Sequence, residues 1–199
     1  MIRLDKPNTL FGKWNFPVAI EIMREQQDST WTAHEIAVDK DVNDYKNNMS
    51  VAQRNLIEVI LQEFMEIEQS VGDIWFEIAG WWEQPDIEMC ALEIGRMEKC
   101  VHALFYQSMS DELLIEPETI AYNQENIREI AQKLQYISKL FSTKNRNKLV
   151  TLGALALTEQ VLLFGNFAVL KSFRNNGINL IPHTISGVQF VISDKQMSL

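Results

Sequence analysis

The sequence predicts an all-α domain built as a bundle of long helices. Apolar residues recur at steps of three, four and seven along most of the chain, and strand-like alternation is nowhere sustained. No internal repeat, low-complexity tract or Pro/Gly-rich linker interrupts this pattern. The chain has 199 residues, of which 46% are hydrophobic and 23% charged, enough for one compact domain and too few to require two. We therefore assign residues 1–199 to a single domain, with an irregular segment at 1–49 and bundle helices at 50–199.

Capping residues set the boundaries of the first helices. A short helix is predicted over 17–27, because Pro17 suits a first helical turn and an apolar side follows it. Ser50 can cap a long helix that runs to about residue 82. A second long helix is predicted over 85–114, again with a proline at its start.

Three further helices complete the predicted bundle. An amphipathic helix covers about 124–141, and a strongly apolar helix covers 148–173. The residues 175–177, Asn-Asn-Gly, are a strong C-cap and turn signal. After Pro182 a last helix begins near Thr184 and continues to the end of the sequence.

Charge and cysteine content exclude several classes of function. A formal net charge of −9 argues against unaided binding to nucleic acid or to anionic membranes. The first residues lack the apolar region of a signal peptide, and Cys90 and Cys100 form no disulfide framework, so we expect a cytoplasmic protein. The stretch 149–170 is long enough to span a membrane, but it contains Glu159 and Asn166. We interpret it as a buried central helix.

Several acidic side chains occupy positions that should face the core. Glu68 lies on the apolar seam of the first long helix, and Glu98 and His102 lie one turn apart on the seam of the second. Glu159 lies in the strongly apolar helix, where no solvated face remains for it. The other acidic residues of the first long helix fall off its seam and are expected to form a solvated face; they are Glu58, Glu63, Glu66 and Asp73.

Buried carboxylates from three helices require a shared proton or a cation between them. Each residue alone has a simpler explanation, because a buried Glu can be neutral or paired with Lys or Arg, and a core His is often structural. Their coincidence favours a metal site, as in bundles that hold two metals in a carboxylate cage. Oxygen-rich ligation with an imidazole favours iron or manganese over zinc.

Four segments carry a family resemblance that extends from Trp31 to the end. They are WTAHEIAVDKDVNDY at 31–45, EQSVGDIW at 68–75, MEKCVHALFY at 97–106 and TEQVLLFGNFAVLK at 158–171. Together they resemble the radical-generating small subunit of class I ribonucleotide reductase, a ferritin-like helical bundle. The combination is far more specific than a single Glu-x-x-His match.

The resemblance implies a dinuclear centre of iron or manganese. Glu68, Glu98 and His102 would hold one metal, and Glu159 would contribute to the second. The family's usual spacing is Glu-x-x-His, whereas Glu98 and His102 are four residues apart. A π-bulge in this helix would absorb one residue and realign both ligands.

The resemblance also implies a radical and two kinds of partner. Tyr106 would be oxidised to a radical, and Trp31, paired with Asp194, would serve in electron transfer. A simpler interpretation is that Tyr106 is a core aromatic residue whose hydroxyl forms a hydrogen bond. The family passes the oxidising equivalent to a large catalytic subunit that makes deoxyribonucleotides, and its small subunits form homodimers.

The last helix departs from the family pattern. Asp194 should be followed by a second Glu-x-x-His, but Lys195 and Ser198 stand where Glu and His belong. A protonated Lys cannot ligate a metal, and it brings a positive charge among the carboxylates. If Lys195 faces Glu159, their ion pair would substitute for the second ion. We therefore expect metal occupancy to be partial or absent.

The sequence also ends inside the last predicted helix, before the remaining bundle helices and C-terminal tail of the family. Three functions remain open. The first is a reductase small subunit, either truncated or one half of a split protein whose second polypeptide supplies the missing helices. The second is a non-catalytic or metal-free scaffold. The third is another ferritin-like enzyme, which is less favoured because Trp31 and Tyr106 have no reason to recur there.

Overall fold

The structure, a computed structural model, describes residues 4–8, 13–116, 118–119, 128–141, 147–175 and 177–197. Within these ranges the chain is helical and contains no strand, as predicted. Its longer helices are α1 (Pro17–Asp28), α2 (Val51–Ala79), α3 (85–113), α4 (Arg128–Phe141), α5 (Lys148–Ser172) and α6 (Pro182–Met197). The assignment of all 199 residues to one domain stays a prediction.

Two of these helices contain a wider π-helical turn. In α3 the α-helical parts Pro85–Met97 and Ala103–Leu113 flank a π segment at Glu98–His102. In α5 a π segment at Thr158–Leu162 separates the α-helical parts on either side of it. The π-bulge predicted in α3 is confirmed, whereas the one in α5 was not foreseen.

The segment between α1 and α2 consists of three short helical turns. These are Ala33–Glu35, Val38–Asp41 and Asp44–Asn48. The predicted cap at Ser50 is confirmed, because its hydroxyl accepts a hydrogen bond from the Gln53 amide at 3.3 Å. The Gln53 side chain accepts in return from the Ser50 amide at 2.8 Å, which completes a capping box.

Some predicted helix boundaries need correction. Helix α2 ends at Ala79 rather than near residue 82, because the chain turns at Gly80 and the next two tryptophans pack edge to face instead. Helix α6 begins at Pro182, two residues before the predicted start. The predicted start of α4 at residue 124 lies outside the described residues, as does Ser198.

The core lies between α2, α3, α5 and α6. Helix α2 packs along α3, α1 packs on α3, and α6 contacts both α1 and α5. The largest fully buried aromatic side chains are Phe64, Phe105, Tyr106 and Phe167. They stack across the helices, with the rings of Phe64 and Tyr106 4.7 Å apart and those of Phe64 and Phe167 4.8 Å apart.

Two acidic residues of the connecting segment hold the start of α6. Asp41 accepts hydrogen bonds from the amides of Thr184 at 2.6 Å and His183 at 3.3 Å. Asp44 accepts from the amide of Ile181 at 3.2 Å. Carboxylates at a helix N-terminus satisfy its free amides and complement its dipole. These bonds fix where α6 enters the bundle and so which of its side chains reach the core.

Helix α5 is not buried all round, which corrects the expectation of a fully buried central helix. By length and composition alone, Lys148–Ser172 is apolar enough to cross a membrane. Only part of this apolar stretch, 28%, is buried inside the bundle. Its inner side packs in the bundle, where Asn166 donates to Glu63 at 2.6 Å. Its outer side is exposed and apolar; the residues are Leu149, Val150, Leu157 and Val161.

Glu63 also departs from its predicted place. It was expected on a solvated face of α2, but it is 4% exposed. Its carboxylate accepts from Lys133 at 2.7 Å and from Asn166 at 2.6 Å. Helix α4 and helix α5 therefore cover a side of α2 that its sequence marks as polar.

Candidate functional site

A cluster of charged side chains lies in the interior of the bundle. It is formed by side chains from α2, α3, α5 and α6, none more than 3% exposed: Glu68, Glu98, His102, Glu159, Asp194 and Lys195. The four residues predicted as metal ligands are therefore all buried in this interior. We refer to these six residues as the buried cluster.

Three members of the buried cluster are a candidate site for one metal ion. One ligand atom each from Glu68, Glu98 and His102 lies within 4.8 Å of the others. The π turn at Glu98–His102 faces both α3 residues toward Glu68, and Tyr106 follows one turn later on the same side. Glu159 does not belong to this set of three.

Lys195 lies against the carboxylates of this candidate site. Its Nζ atom is 2.7 Å from Oε2 of Glu68 and 2.5 Å from Oε2 of Glu98. Burial alone would lower the pKa of Lys195, but the charges of the surrounding carboxylates raise it above its usual value, so the ammonium is charged. Whether Lys195 faces Glu159 was left open by the sequence; ion pairs at 2.7 and 2.5 Å join Lys195 to Glu68 and Glu98, and the charge of Glu159 also raises the pKa of Lys195.

The two carboxyl groups that Lys195 contacts differ in protonation. Burial and the neighbouring charge of Glu98 raise the pKa of Glu68 well above its usual value. Burial would also raise the pKa of Glu98, but the positive charges of Lys195 and His102 outweigh it and lower that pKa. Glu98 is thus the ionised partner, and Glu68 is the one that retains a proton most readily.

Both ring nitrogens of His102 face carboxylate oxygens. Nδ1 lies 3.2 Å from Oε2 of Glu98, and Nε2 lies 3.0 Å from Oδ2 of Asp194. The ionised Glu98 can only accept, so it favours a hydrogen on Nδ1. Burial would lower the pKa of His102, but Glu98 and the hydrogen bond to Asp194 raise it to about 9.

Asp194 joins His102 to Trp31. The indole Nε1 of Trp31 donates to Oδ2 of Asp194 at 2.8 Å, the same oxygen that faces His102. The Trp31 ring also stacks on the His102 imidazole, with centroids 6.1 Å apart. The pairing of Trp31 with Asp194 that the resemblance implies is therefore present as a hydrogen bond.

Tyr106 is fully buried beside the cluster. Its hydroxyl lies 3.4 Å from Oε1 of Glu68, to which it donates, and Phe64 stacks on its ring. Burial, followed by the charges of Glu68 and Glu98, raises the pKa of Tyr106 well above its usual value. The phenol is therefore held in its neutral form.

Glu159 is held by a hydrogen bond from α2. Its Oε1 accepts from Nε1 of Trp75 at 3.0 Å, while Oε2 has no hydrogen-bond partner within the described residues. Burial raises the pKa of Glu159, and Lys195 opposes that effect. Among the described residues, the Glu159 carboxyl group is therefore held by one hydrogen-bond donor, Trp75.

Two supporting residues were missed by the sequence reasoning. Trp75, which binds Glu159, lies on the apolar seam of α2 seven residues after Glu68, so its position on the seam was the available signal. Gln26 of α1 donates its side-chain amide to the main-chain oxygen of Asp194 at 2.9 Å. No sequence pattern marks Gln26, because its partner lies 168 residues away.

A family model described as ribonucleotide reductase, small chain, matches residues 11–199. The chain belongs to this family. The predicted resemblance is therefore confirmed. A curated member, the probable ribonucleoside-diphosphate reductase small subunit 048L of Invertebrate iridescent virus 3, is 22% identical over 200 residues. That match covers 89% of this chain and 51% of the relative, so the chain spans about half the length of the relative.

Solved structures of small subunits share the fold. The R2 subunit from Clostridium botulinum has a TM-score of 0.84 at 14% identity, with 96% of this chain and 61% of that chain covered. The dimanganese(II)-NrdF of Streptococcus sanguinis has a TM-score of 0.81 at 16% identity, with 96% of this chain and 67% of that chain covered. The Rnr4 homodimer from Saccharomyces cerevisiae has a TM-score of 0.81 at 19% identity, with 98% of this chain and 62% of that chain covered. The predicted ferritin-like bundle is confirmed.

The family implies a dinuclear metal centre, and the residues of this chain do not fit one as arranged. The Lys195 ammonium contacts the same Glu68 and Glu98 oxygens that a metal would bind. Nδ1 of His102 faces Glu98 and Nε2 faces Asp194, so the imidazole is bonded within the cluster at both nitrogens. Glu159 has a free acceptor, but position 195 supplies a cation where a ligand is needed.

Proposed function

We propose that this chain forms the bundle part of a ribonucleotide reductase small subunit, which works with a large catalytic subunit to make deoxyribonucleotides. Family membership over residues 11–199 supports this proposal. Because the chain spans about half of its curated relative, the activity is proposed here for the chain with its partners.

The observation that carries the proposal is a continuous hydrogen-bonded path from Trp31 to the buried cluster. Trp31 donates to Asp194 at 2.8 Å, and the same Asp194 oxygen lies 3.0 Å from His102. An indole held by a carboxylate at fixed distance is suited to electron transfer coupled to a proton shift. We propose that Trp31 and Asp194 serve in that transfer.

Tyr106 is the proposed site of the radical. Its ring is fully buried, Phe64 stacks on it, and Phe167 stacks in turn on Phe64. A buried aromatic pocket excludes water and so protects a reactive side chain from side reactions. The Tyr106 hydroxyl donates to Oε1 of Glu68, which fixes the orientation of the phenol beside the cluster.

Reductase assays with the large subunit test this function. We expect Trp31→Phe to lower the turnover of cytidine diphosphate by about 10²-fold, because the indole donor to Asp194 is lost. Tyr106→Phe should abolish any tyrosyl signal in electron paramagnetic resonance. Trp82→Phe is the matched control, since Trp82 is partly buried and packs edge to face against Trp81 outside the cluster. Unchanged turnover in Trp31→Phe would contradict the proposed role.

The proposed partners are a large catalytic subunit and a second copy of the chain. The Rnr4 structure, which shares this fold, is described as a homodimer. The exposed apolar side of α5 supplies surface for association. A separate polypeptide that completes the bundle, and a cytoplasmic location, stay expectations of the same proposal.

A second function, a scaffold without redox activity, is favoured by one observation. Lys195 binds Glu68 and Glu98 directly, which is an arrangement for holding helices together. A scaffold would still bind the large subunit, measured by sedimentation of the mixture. It would show no tyrosyl signal, and Tyr106→Phe would leave the activity of the assembled complex unchanged.

A further inference from the structure

The position of Lys195 in α6 bears on how the buried carboxylates are neutralised. Its side chain is fully buried, and its Nζ lies between Oε2 of Glu68 on α2 and Oε2 of Glu98 on α3. Both distances, 2.7 and 2.5 Å, are those of charge-assisted hydrogen bonds. The ammonium thus joins three helices at the point where their carboxylates converge.

His102, the third candidate ligand, is also bonded within the cluster. Its two ring nitrogens are 3.2 Å from Glu98 and 3.0 Å from Asp194, so both ends of the imidazole have a partner in the protein. The candidate ligand set of Glu68, Glu98 and His102 is therefore satisfied within the protein.

The Lys195 ammonium lies against two of the three candidate ligands, at 2.7 Å from Glu68 and 2.5 Å from Glu98. A divalent ion at the Glu68 and Glu98 oxygens would lie beside the ammonium, and like charges in a buried site repel strongly. An ion between Glu68 and Glu98 would therefore require Lys195 to move away from both carboxylates.

We infer that the Lys195 ammonium takes the place of the family's metal ions, so that this chain folds and keeps its buried cluster together without a dinuclear centre. This inference rests on the site residues assigned in the proposed function and agrees with its second form, the scaffold without redox activity, because a site without metal supplies no oxidant for Tyr106. Its test uses metal content and thermal stability, which do not depend on reductase activity or on the large subunit.

Metal analysis of the unmodified chain is the first measurement. The protein is produced in medium with added Fe(II) or Mn(II), dialysed against EDTA and analysed for elements. We expect well below one ion per chain, and the same melting temperature with EDTA as with added Mn(II). One or two ions retained per chain, or a clear rise in melting temperature with Mn(II), would overturn the inference. Loss of reductase activity in the assays above would not affect this result.

Substitutions at Lys195 are the second measurement. Lys195→Met keeps the length of the side chain but removes its charge, and it should lower the melting temperature far more than the control Lys40→Met at an exposed position. Adding Glu98→Gln to Lys195→Met should restore much of the loss, because it removes the carboxylate left without its ammonium. A double variant no more stable than Lys195→Met would count against the ion pair as the stabilising contact.

Lys195→Glu tests whether the lysine excludes metal. This variant adds a carboxylate to the cluster and removes the competing charge, so it should bind at least one Mn(II) ion and be stabilised by it. If Lys195→Glu does not fold without metal, folding upon addition of Mn(II) gives the same answer. A folded Lys195→Glu protein that binds no Mn(II) would show that Lys195 is not what excludes the ion.

Discussion

At the scale of single residues, the main feature is the number of charges buried with their partners. His102 contacts Glu98 and Asp194, and Lys195 contacts Glu68 and Glu98. Breaking a buried ion pair by removing one partner typically costs about 3–5 kcal/mol, because the other charge stays buried without compensation. The cluster is therefore sensitive to any single substitution that changes its charge.

Protonation of His102 should stabilise the folded chain. Its pKa is raised from 6.5 to about 9 in the folded protein, so its contribution is fully present below pH 6.5 and is lost as the pH rises through 9. The difference corresponds to about 3 kcal/mol at most. The charged and titratable groups facing it are Glu98, Asp194, Glu68 and Lys195.

Urea unfolding between about pH 6 and pH 9.5 measures this effect. The free energy of unfolding should decrease with pH in the unmodified chain, and the decrease should be much smaller in His102→Gln. His34→Gln, at an exposed position, is the control and should behave like the unmodified chain. An equal decrease in His102→Gln would assign the pH dependence to another group.

At the scale of helices, the π turns determine which side chains meet. The π segment at Glu98–His102 absorbs an extra residue within α3, so Glu98, His102 and the following Tyr106 all face α2 and α6. The spacing of Glu98 and His102 differs from the family's usual three, and this difference was enough to predict the bulge. The bulge at Thr158–Leu162 had no comparable signal, because α5 carries only one polar residue of the cluster.

The close approach of α6 to α3 depends on Gly187. A Cβ atom at this position would overlap the ring of Phe105 and lie 3.2 Å from Cγ2 of Ile36. Gly187→Ala should therefore lower the free energy of unfolding by about 1–3 kcal/mol, despite the better helix propensity of alanine. Thermal or urea unfolding of the variant measures the change.

Gly153 in α5 is the matched control. A Cβ atom there meets nothing within 4 Å among the described residues. Gly153→Ala should raise the free energy of unfolding by up to about 1 kcal/mol, through helix propensity alone. If both variants were equally stable, the close packing of α6 on Phe105 would not be a constraint on the fold.

At the scale of the whole molecule, helix α5 has one side in the core and one side exposed. The exposed side is apolar at Leu149, Val150, Leu157 and Val161. Between Leu157, Val161 and Tyr136 of α4 there is a shallow apolar groove of about 190 Å³. A continuous apolar surface of this kind favours association.

We therefore expect the chain to self-associate at micromolar concentration. Sedimentation velocity should show a species larger than the 23.0 kDa monomer. Leu157→Glu combined with Val161→Glu should shift the population toward monomer without loss of helical content. Val18→Glu, at an exposed position of α1, is the control. A monomer at all concentrations in the unmodified chain would contradict this expectation.

The sequence by itself determined the helices and the side that each presents to the core. Apolar spacing and the residues Ser50 and Pro85 located α2 and α3 to within a few residues, and the seam positions of Glu68, Glu98 and His102 marked them as buried. These features are local, because a helix repeats every 3.6 residues and its caps lie within one turn of its ends.

Only the tertiary structure decided how the buried charges pair. Lys195 was recognised in the sequence as a cation among carboxylates, but its ion pairs with Glu68 and Glu98 were not foreseen, and Glu63 was expected in solvent. Lys195 lies 127 residues from Glu68 and 97 from Glu98 along the chain. Such pairings depend on where α6 enters the bundle and on how α4 and α5 cover α2. Periodicity fixes the direction of a side chain on its own helix, whereas its partner is set by the packing of helices that are distant in sequence.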